Sequence, residues 1–143
     1  MDNLEEILIE VLSKAYSRII YSEEKILKEM IGDPLSVKEF HTLEVIYNAM
    51  SNKNNTASTI AKHLGITLGT CTTNIDRLIQ KGLVHKVKND ADRRVVYVEL
   101  TEKGLQTHLK HIGMHKKVIT KAIAKLSTSE KVALMNAVNK IDI

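Results

Sequence analysis

Residues 56–100, TASTIAKHLGITLGTCTTNIDRLIQKGLVHKVKNDADRRVVYVEL, constrain the fold of this chain more than any other stretch. They read as two short helices broken at a tight turn, then a hairpin with two arginines at its tip. Thr56 caps a helix to Leu64, Gly65 breaks it, and Thr67 caps the next helix to Lys81. Gly82 stands where a left-handed residue ends a helix. Leu83–Lys88 and Arg94–Leu100 alternate as two strands, with Asn89–Arg93 as the polar connection between them. A helix pair of this kind sets its second helix in the DNA major groove, with the hairpin beside it.

The helix pair needs a small residue where its helices touch, a glycine in the turn and an apolar residue on the inner face of the second helix. Ala61, Gly65 and Cys71 stand at those places. Ile60, Leu64, Ile66, Ile75 and Leu78 complete the inner face. At about 100° per residue, Cys71, Ile75 and Leu78 fall within about 60° of arc. Gly69, Thr70, Thr73, Arg77 and Gln80 therefore point outward. Small hydroxyl residues there allow close approach to bases and phosphates. Thr67, at the helix N-terminus, suits a phosphate, and Gly69 leaves room for it. In the hairpin, Arg93 and Arg94 are placed to enter a minor groove, with Asp92 as a brace for Arg94. Lys86 and Lys88 add phosphate contacts. A helical hairpin used only for packing, and a merely solvated charged turn, are the bland alternatives.

The flanks are helical. Leu4, Leu8, Val11, Ala15 and Ile19 recur at spacings of three and four, which predicts one helix from residue 3 to about 30. A turn follows at Gly32-Asp33-Pro34. Ser36 and Glu39 form a capping box for a helix over about 37–49, with Phe40, Leu43, Ile46 and Tyr47 on its apolar face. The polar run Ser51–Asn55 is a loop. Thr101 opens a fifth helix to about Lys125. Ser127 and Glu130 cap a sixth, with Val132, Met135, Val138 and Ile141 on one side. The expected fold is mainly α with a small β-hairpin, in the order ααααββαα.

Aromatic residues make up only 3% of the 143-residue chain, so its core must be aliphatic, which suits packed helices. The single cysteine forms no internal disulfide and fits a reducing compartment. Cys71 lies on a buried helix face and reads as a structural thiol rather than a redox sensor. The acidic start MDNLEEIL does not resemble a signal peptide, and no apolar run is long enough for a bilayer, so a cytoplasmic protein without membrane association is expected. The net charge of +4 is unevenly spread: residues 1–35 carry −4, 62–94 carry +4 and 95–143 carry +4. Such a field steers DNA to one face. Neither a phosphate-binding glycine loop nor a nucleophile–base pair is present, so catalysis is not expected and no cofactor is required.

The stretch IAKHLGITLGTCTTNIDRLIQKGLVHKVKNDADRRVVYVELTEKG resembles the winged-helix core of the MarR family of bacterial regulators, with Asp92-x-Arg94, Leu100-Thr101 and Gly104 matching the wing pattern. That resemblance implies a homodimer joined through its terminal helices, which binds a pseudo-palindromic operator in double-stranded DNA as a repressor. Residues 1–35 and 101–143 would then be dimerisation helices, and 36–100 the DNA-binding lobe. The helix Thr67–Lys81 takes the recognition role, and Arg93 and Arg94 the wing role. The terminal helices are too apolar to be free arms, which independently favours pairing of two copies. Two copies place their recognition helices roughly 34 Å apart.

Within the family, VKEFHTLEVI, LGTCTT, DRRVV and the histidines His108, His111 and His115 are similar to regulators of fatty-acid synthesis genes. Acyl-acyl carrier protein is the corepressor that this likeness implies. Glu23, His41, His111 and His115 also resemble the zinc site of the family's zinc-uptake repressors, although the cysteine of those proteins' second site is missing. Imidazoles at i and i+4 with a carboxylate and a third histidine suit tetrahedral zinc. The alternatives for this cluster are a polar lining between helices and direct contact with a ligand.

Overall fold

A computed structural model of the protein describes residues 3–29 and 35–141. The predicted turn at Gly32-Asp33-Pro34 lies outside the described residues. Six helices and one hairpin follow in the expected order: α1 (Asn3–Glu29), α2 (Val37–Ser51), α3 (Ala57–Leu64), α4 (Leu68–Gln80), β1 (Val84–Lys88), β2 (Val96–Leu100), α5 (Glu102–Ile123) and α6 (Thr128–Val138). Side-chain caps set most of the starts. Ser36 Oγ accepts from the Glu39 N–H while Glu39 Oε2 accepts from the Ser36 N–H. Ser127 and Glu130 repeat the arrangement on α6. Thr56, Thr67 and Thr101 each accept from the backbone N–H three residues on. Gly65 and Gly82 take the left-handed conformation, with φ of 65° and 71°, that frees the chain from α3 and α4.

The hairpin is antiparallel, with Val84 opposite Leu100 and Lys88 opposite Val96. It is shorter than the alternation suggested. Leu83 is spent in the turn after α4, where its N–H bonds to the Leu78 carbonyl. Arg94 and Val95 belong to the connection, held there by Asp92. Asn55, expected in a solvated loop, is buried and clamps β2: its amide donates to the Val98 carbonyl and its carbonyl accepts from the Val98 N–H. This bond covers the outer edge of the small sheet.

One aliphatic core joins α2, α3, α4 and the hairpin through Leu43, Ile46, Ile60, Cys71, Ile75, Leu78, Leu83 and Val98, all almost wholly buried. Cys71 Sγ points at the Ala57 carbonyl, and burial raises its pKa, which keeps the thiol protonated. The first turn of α5 is fastened to the exit of α4. Thr101 donates to the carbonyls of Leu83 and Gly82, and Gly104 lies so close that a Cβ there would fall 1.9 Å from the Leu83 oxygen.

The flanking helices are different. Only the end of α1 is buried, at Ile26 and Leu27, where it meets α2 and α5. Earlier in α1, Leu4, Ile7, Leu8, Val11, Leu12, Ile19 and Ile20 lie exposed. α5 ends at Ile123, short of Lys125, and α6 ends at Val138, so Ile141 is not on it. α6 buries none of its residues, and Val132, Leu134, Met135 and Val138 are exposed. So many exposed apolar side chains on the flanking helices are suited to an interface. Among the described residues, no helix is long and apolar enough to cross a membrane.

Candidate nucleic-acid interface

The fold separates α4 into two faces. Cys71, Asn74, Ile75 and Leu78 are buried, while Thr67, Gly69, Thr70, Thr73, Arg77 and Gln80 are exposed on the other side. The hydroxyls on that face are already oriented. Thr67 and Thr70 share a hydrogen bond of 2.9 Å, and Thr73 donates to the Gly69 carbonyl at 3.1 Å. Thr73 thus shows a methyl group and oxygen lone pairs to an incoming partner, with its proton spent inside the helix. Gly69 has an ordinary helical φ, and a Cβ added there would meet nothing within 4 Å. Neither backbone conformation nor packing within the chain requires a glycine at this position.

The hairpin tip is preformed. Asn89 Oδ1 accepts from the backbone N–H of Ala91 at 2.8 Å and of Asp92 at 3.4 Å, an Asx turn. Asp92 Oδ1 then accepts from both the backbone N–H and the Nε of Arg94, at 3.0 and 3.2 Å. The Arg94 side chain is 92% exposed and Arg93 is exposed beside it. Lys88 is exposed on β1. Lys86 is not a free cation: its Nζ lies 3.4 Å from Asp76 Oδ1 on α4. Sequence reasoning missed Asn89 and Asp76. The pattern Asn-Asp-Ala-Asp before two arginines carries the turn signal for the first. Nothing local points to the second, because its partner lies ten residues away across a turn.

The candidate ligand site sits between this lobe and the flanking helices. Glu23 of α1, Phe40 and Glu44 of α2, and His111 and His115 of α5 line a cleft of about 510 Å³. The donor atoms of Glu23, His111 and His115 lie within 4.8 Å of one another. His111 and His115 approach through their Nε2 atoms at 3.0 Å. His41 stands apart from that trio. Its Nε2 donates to Glu23 Oε1 at 3.2 Å, but it joins the group only through that carboxylate. The reason is that His41 projects from the exposed side of α2, whereas His111 is buried and stacked on Phe40. Burial, and then the neighbouring His115, His108 and His41, push the His111 pKa down to about 4. A neutral imidazole of this kind is the form that binds a metal.

His108 is not on the cleft. It is buried against Tyr47, with ring centroids 4.2 Å apart, and neither ring nitrogen has a hydrogen-bond partner among the described residues. Burial lowers its pKa against the opposing pull of Glu44. The three-histidine stripe of the sequence therefore splits into one packed ring and two cleft residues.

Residues 35–96 match the sequence model of the MarR family. FabT of Streptococcus pneumoniae, solved in complex with DNA, is 32% identical. The match covers 94% of this chain and 92% of that one, with a TM-score of 0.82. A MarR family protein from Bacillus stearothermophilus superposes with a TM-score of 0.80 over 98% of this chain and 95% of that one, at 20% identity, a likeness of fold alone. Among curated relatives, the HTH-type transcriptional regulator MhqR of Bacillus subtilis is 29% identical over 120 residues, 84% of this chain and 79% of that protein.

Proposed function

The chain belongs to the MarR family, and from that premise we propose that it is a sequence-specific DNA-binding repressor that acts as a homodimer, not an enzyme. The observation that carries this reading is the pairing of two exposed elements on one side of the lobe. The threonine-lined face of α4 and the braced Arg94 wing are both built before any partner arrives. α4 supplies major-groove contacts through Thr67, Thr70, Thr73 and Arg77, and the wing reaches the minor groove through Arg93 and Arg94. Lys88 contacts phosphate. The exposed apolar faces of α1 and α6 are where a second copy pairs.

The regulated genes are those of fatty-acid synthesis, with acyl-acyl carrier protein as corepressor. The 32% identity to FabT over nearly the whole chain supports this finer reading. An effector held in the cleft between α1, α2 and α5 touches both the lobe and the flanking helices, so it can favour one spacing of the two α4 helices over another. Sequencing the genomic fragments that the purified protein retains tests both levels. Fragments upstream of fatty-acid genes support the reading. Retention of no specific fragment at 50–200 mM salt removes it.

A second reading is a zinc-responsive repressor of metal uptake. It is supported by the cluster of Glu23, His111 and His115, with His41 one hydrogen bond away. These residues would supply the ligands of a tetrahedral ion. Titration of metal-free protein with zinc decides it: no uptake at micromolar zinc ends this reading, and fragments from metal-transporter genes in the selection above favour it.

A further inference from the structure

Asp76 is the sole carboxylate of α4, and it stands on the exposed side of the helix beside Gly69, Thr70, Thr73, Arg77 and Gln80. By helical geometry it lies about 20° around the helix from Gly69 and about 60° from Thr73, at the edge nearest the wing. Among the described residues its ionic partner is Lys86 of β1, with Nζ 3.4 Å from Oδ1 and both side chains about half exposed. An ion pair so long and so open to solvent adds little to folding. A negative charge here also repels every phosphate that approaches α4. Neither stability nor general affinity for nucleic acid accounts for an aspartate at this place.

We infer that Asp76 is a specificity-determining residue that reads a cytosine in the major groove and holds Lys86 away from phosphates elsewhere. The inference rests on the DNA-binding reading above and adds to it a base preference. An ionised carboxylate only accepts hydrogen bonds. Of the groups at the floor of the major groove, the amino groups of cytosine and adenine are the only donors. Guanine N7 and O6, adenine N7 and thymine O4 all repel it. Cytosine is the better partner, because the adenine amino group stands beside the N7 acceptor, which would face the second carboxylate oxygen. Where a cytosine lies beneath Asp76, the carboxylate is satisfied by the base and Lys86 is released to a phosphate. On any other sequence the pair stays closed, and its net charge is zero.

The test is selection from a random-sequence duplex library by the wild-type protein, Asp76→Ala and Asp76→Asn, with thermal melts to verify that each is folded. The wild-type motif should carry one cytosine per half-site that Asp76→Ala no longer prefers, with the rest of the motif intact. Asp76→Asn should shift the same position toward adenine, which an amide pairs with through N6 and N7. Against a fixed duplex of arbitrary sequence, Asp76→Ala should bind severalfold more tightly. Its plot of log affinity against log salt should be steeper by about one, and Lys86→Gln in the same background should undo that gain. A motif unchanged by both substitutions overturns the inference. If the wild type itself enriches no motif, the DNA-binding reading fails instead.

Discussion

Lys81, the C-cap of α4, places its ammonium 2.8 Å from Glu39 Oε2, the same oxygen that accepts from the Ser36 N–H at the start of α2. One buried carboxylate therefore ties the exit of the recognition helix to the capping box of the helix beneath it. Burial works to raise the Glu39 pKa, but the bonds from Lys81 and Ser36 outweigh it and hold the carboxyl below its ordinary value. A depressed carboxylate pKa contributes stability that is complete above the unfolded value and is lost as pH falls through the folded one. Glu39→Gln should cost about 1–3 kcal/mol at neutral pH. It should also flatten the loss of stability of the wild type below about pH 4.5. Urea unfolding at pH 7 and pH 3.5 measures both, and equal acid sensitivity in the two proteins would count against the link.

Gly69 makes a prediction with two opposite signs. A glycine inside a helix is destabilising by up to about 1 kcal/mol relative to alanine, and open space surrounds the position. Gly69→Ala should therefore raise the thermal midpoint slightly. If the space is kept for DNA, the added methyl should weaken binding to the selected operator by about 1–2 kcal/mol, within the range found for overpacking. A variant that is more stable and binds equally well would show that the glycine serves no partner.

Much of this architecture is legible from neighbouring residues because its causes are local. Thr67 caps α4, and Gly82 ends the helix four residues beyond Leu78, its last buried apolar side chain, through contacts spanning three to five positions. The capping boxes at Ser36 and Ser127 are legible for the same reason. Asn55 was hidden because its partner, Val98, lies 43 residues on, and a polar residue beside a loop gives no sign of burial. The split among the histidines was hidden too: spacing puts His108, His111 and His115 on one stripe, but only tertiary packing sends His108 against Tyr47 and His111 toward the cleft. The apolar residues of α6 were readable, whereas none of them is buried against another described residue.

The wing depends on an acceptor that reaches only one side of its arginine. Asp92 Oδ1 takes both the backbone N–H and the Nε of Arg94, leaving the terminal nitrogens of the guanidinium outward. Arg94→Ala should weaken operator binding by about 1–3 kcal/mol. Asp92→Ala should produce a smaller loss through the freed side chain, and in combination the two should be less than additive, since Asp92 acts through Arg94. A titration of the four proteins against one duplex gives the coupling. Full additivity would assign Asp92 a separate role.

His111 carries the clearest dependence on pH. In the folded protein its pKa falls to about 4 from the ordinary 6.5, because burial and the neighbouring His115, His108 and His41 disfavour the cation. The unfolded chain takes up a proton below about pH 6.5, while the folded chain keeps the imidazole neutral until about pH 4. Stability from this group is therefore complete above pH 6.5 and declines as pH falls through that window, by on the order of 3 kcal/mol in full. Glu23 and Glu44 face the same cleft, where a carboxylate can pair with the new cation. His108 is shifted in the same direction, so removing His111 should reduce the slope and not abolish it. Urea midpoints at pH 7, 5.5 and 4.5 for the wild type and His111→Gln give the comparison. A variant whose stability falls as steeply as that of the wild type would place the acid sensitivity of the fold elsewhere.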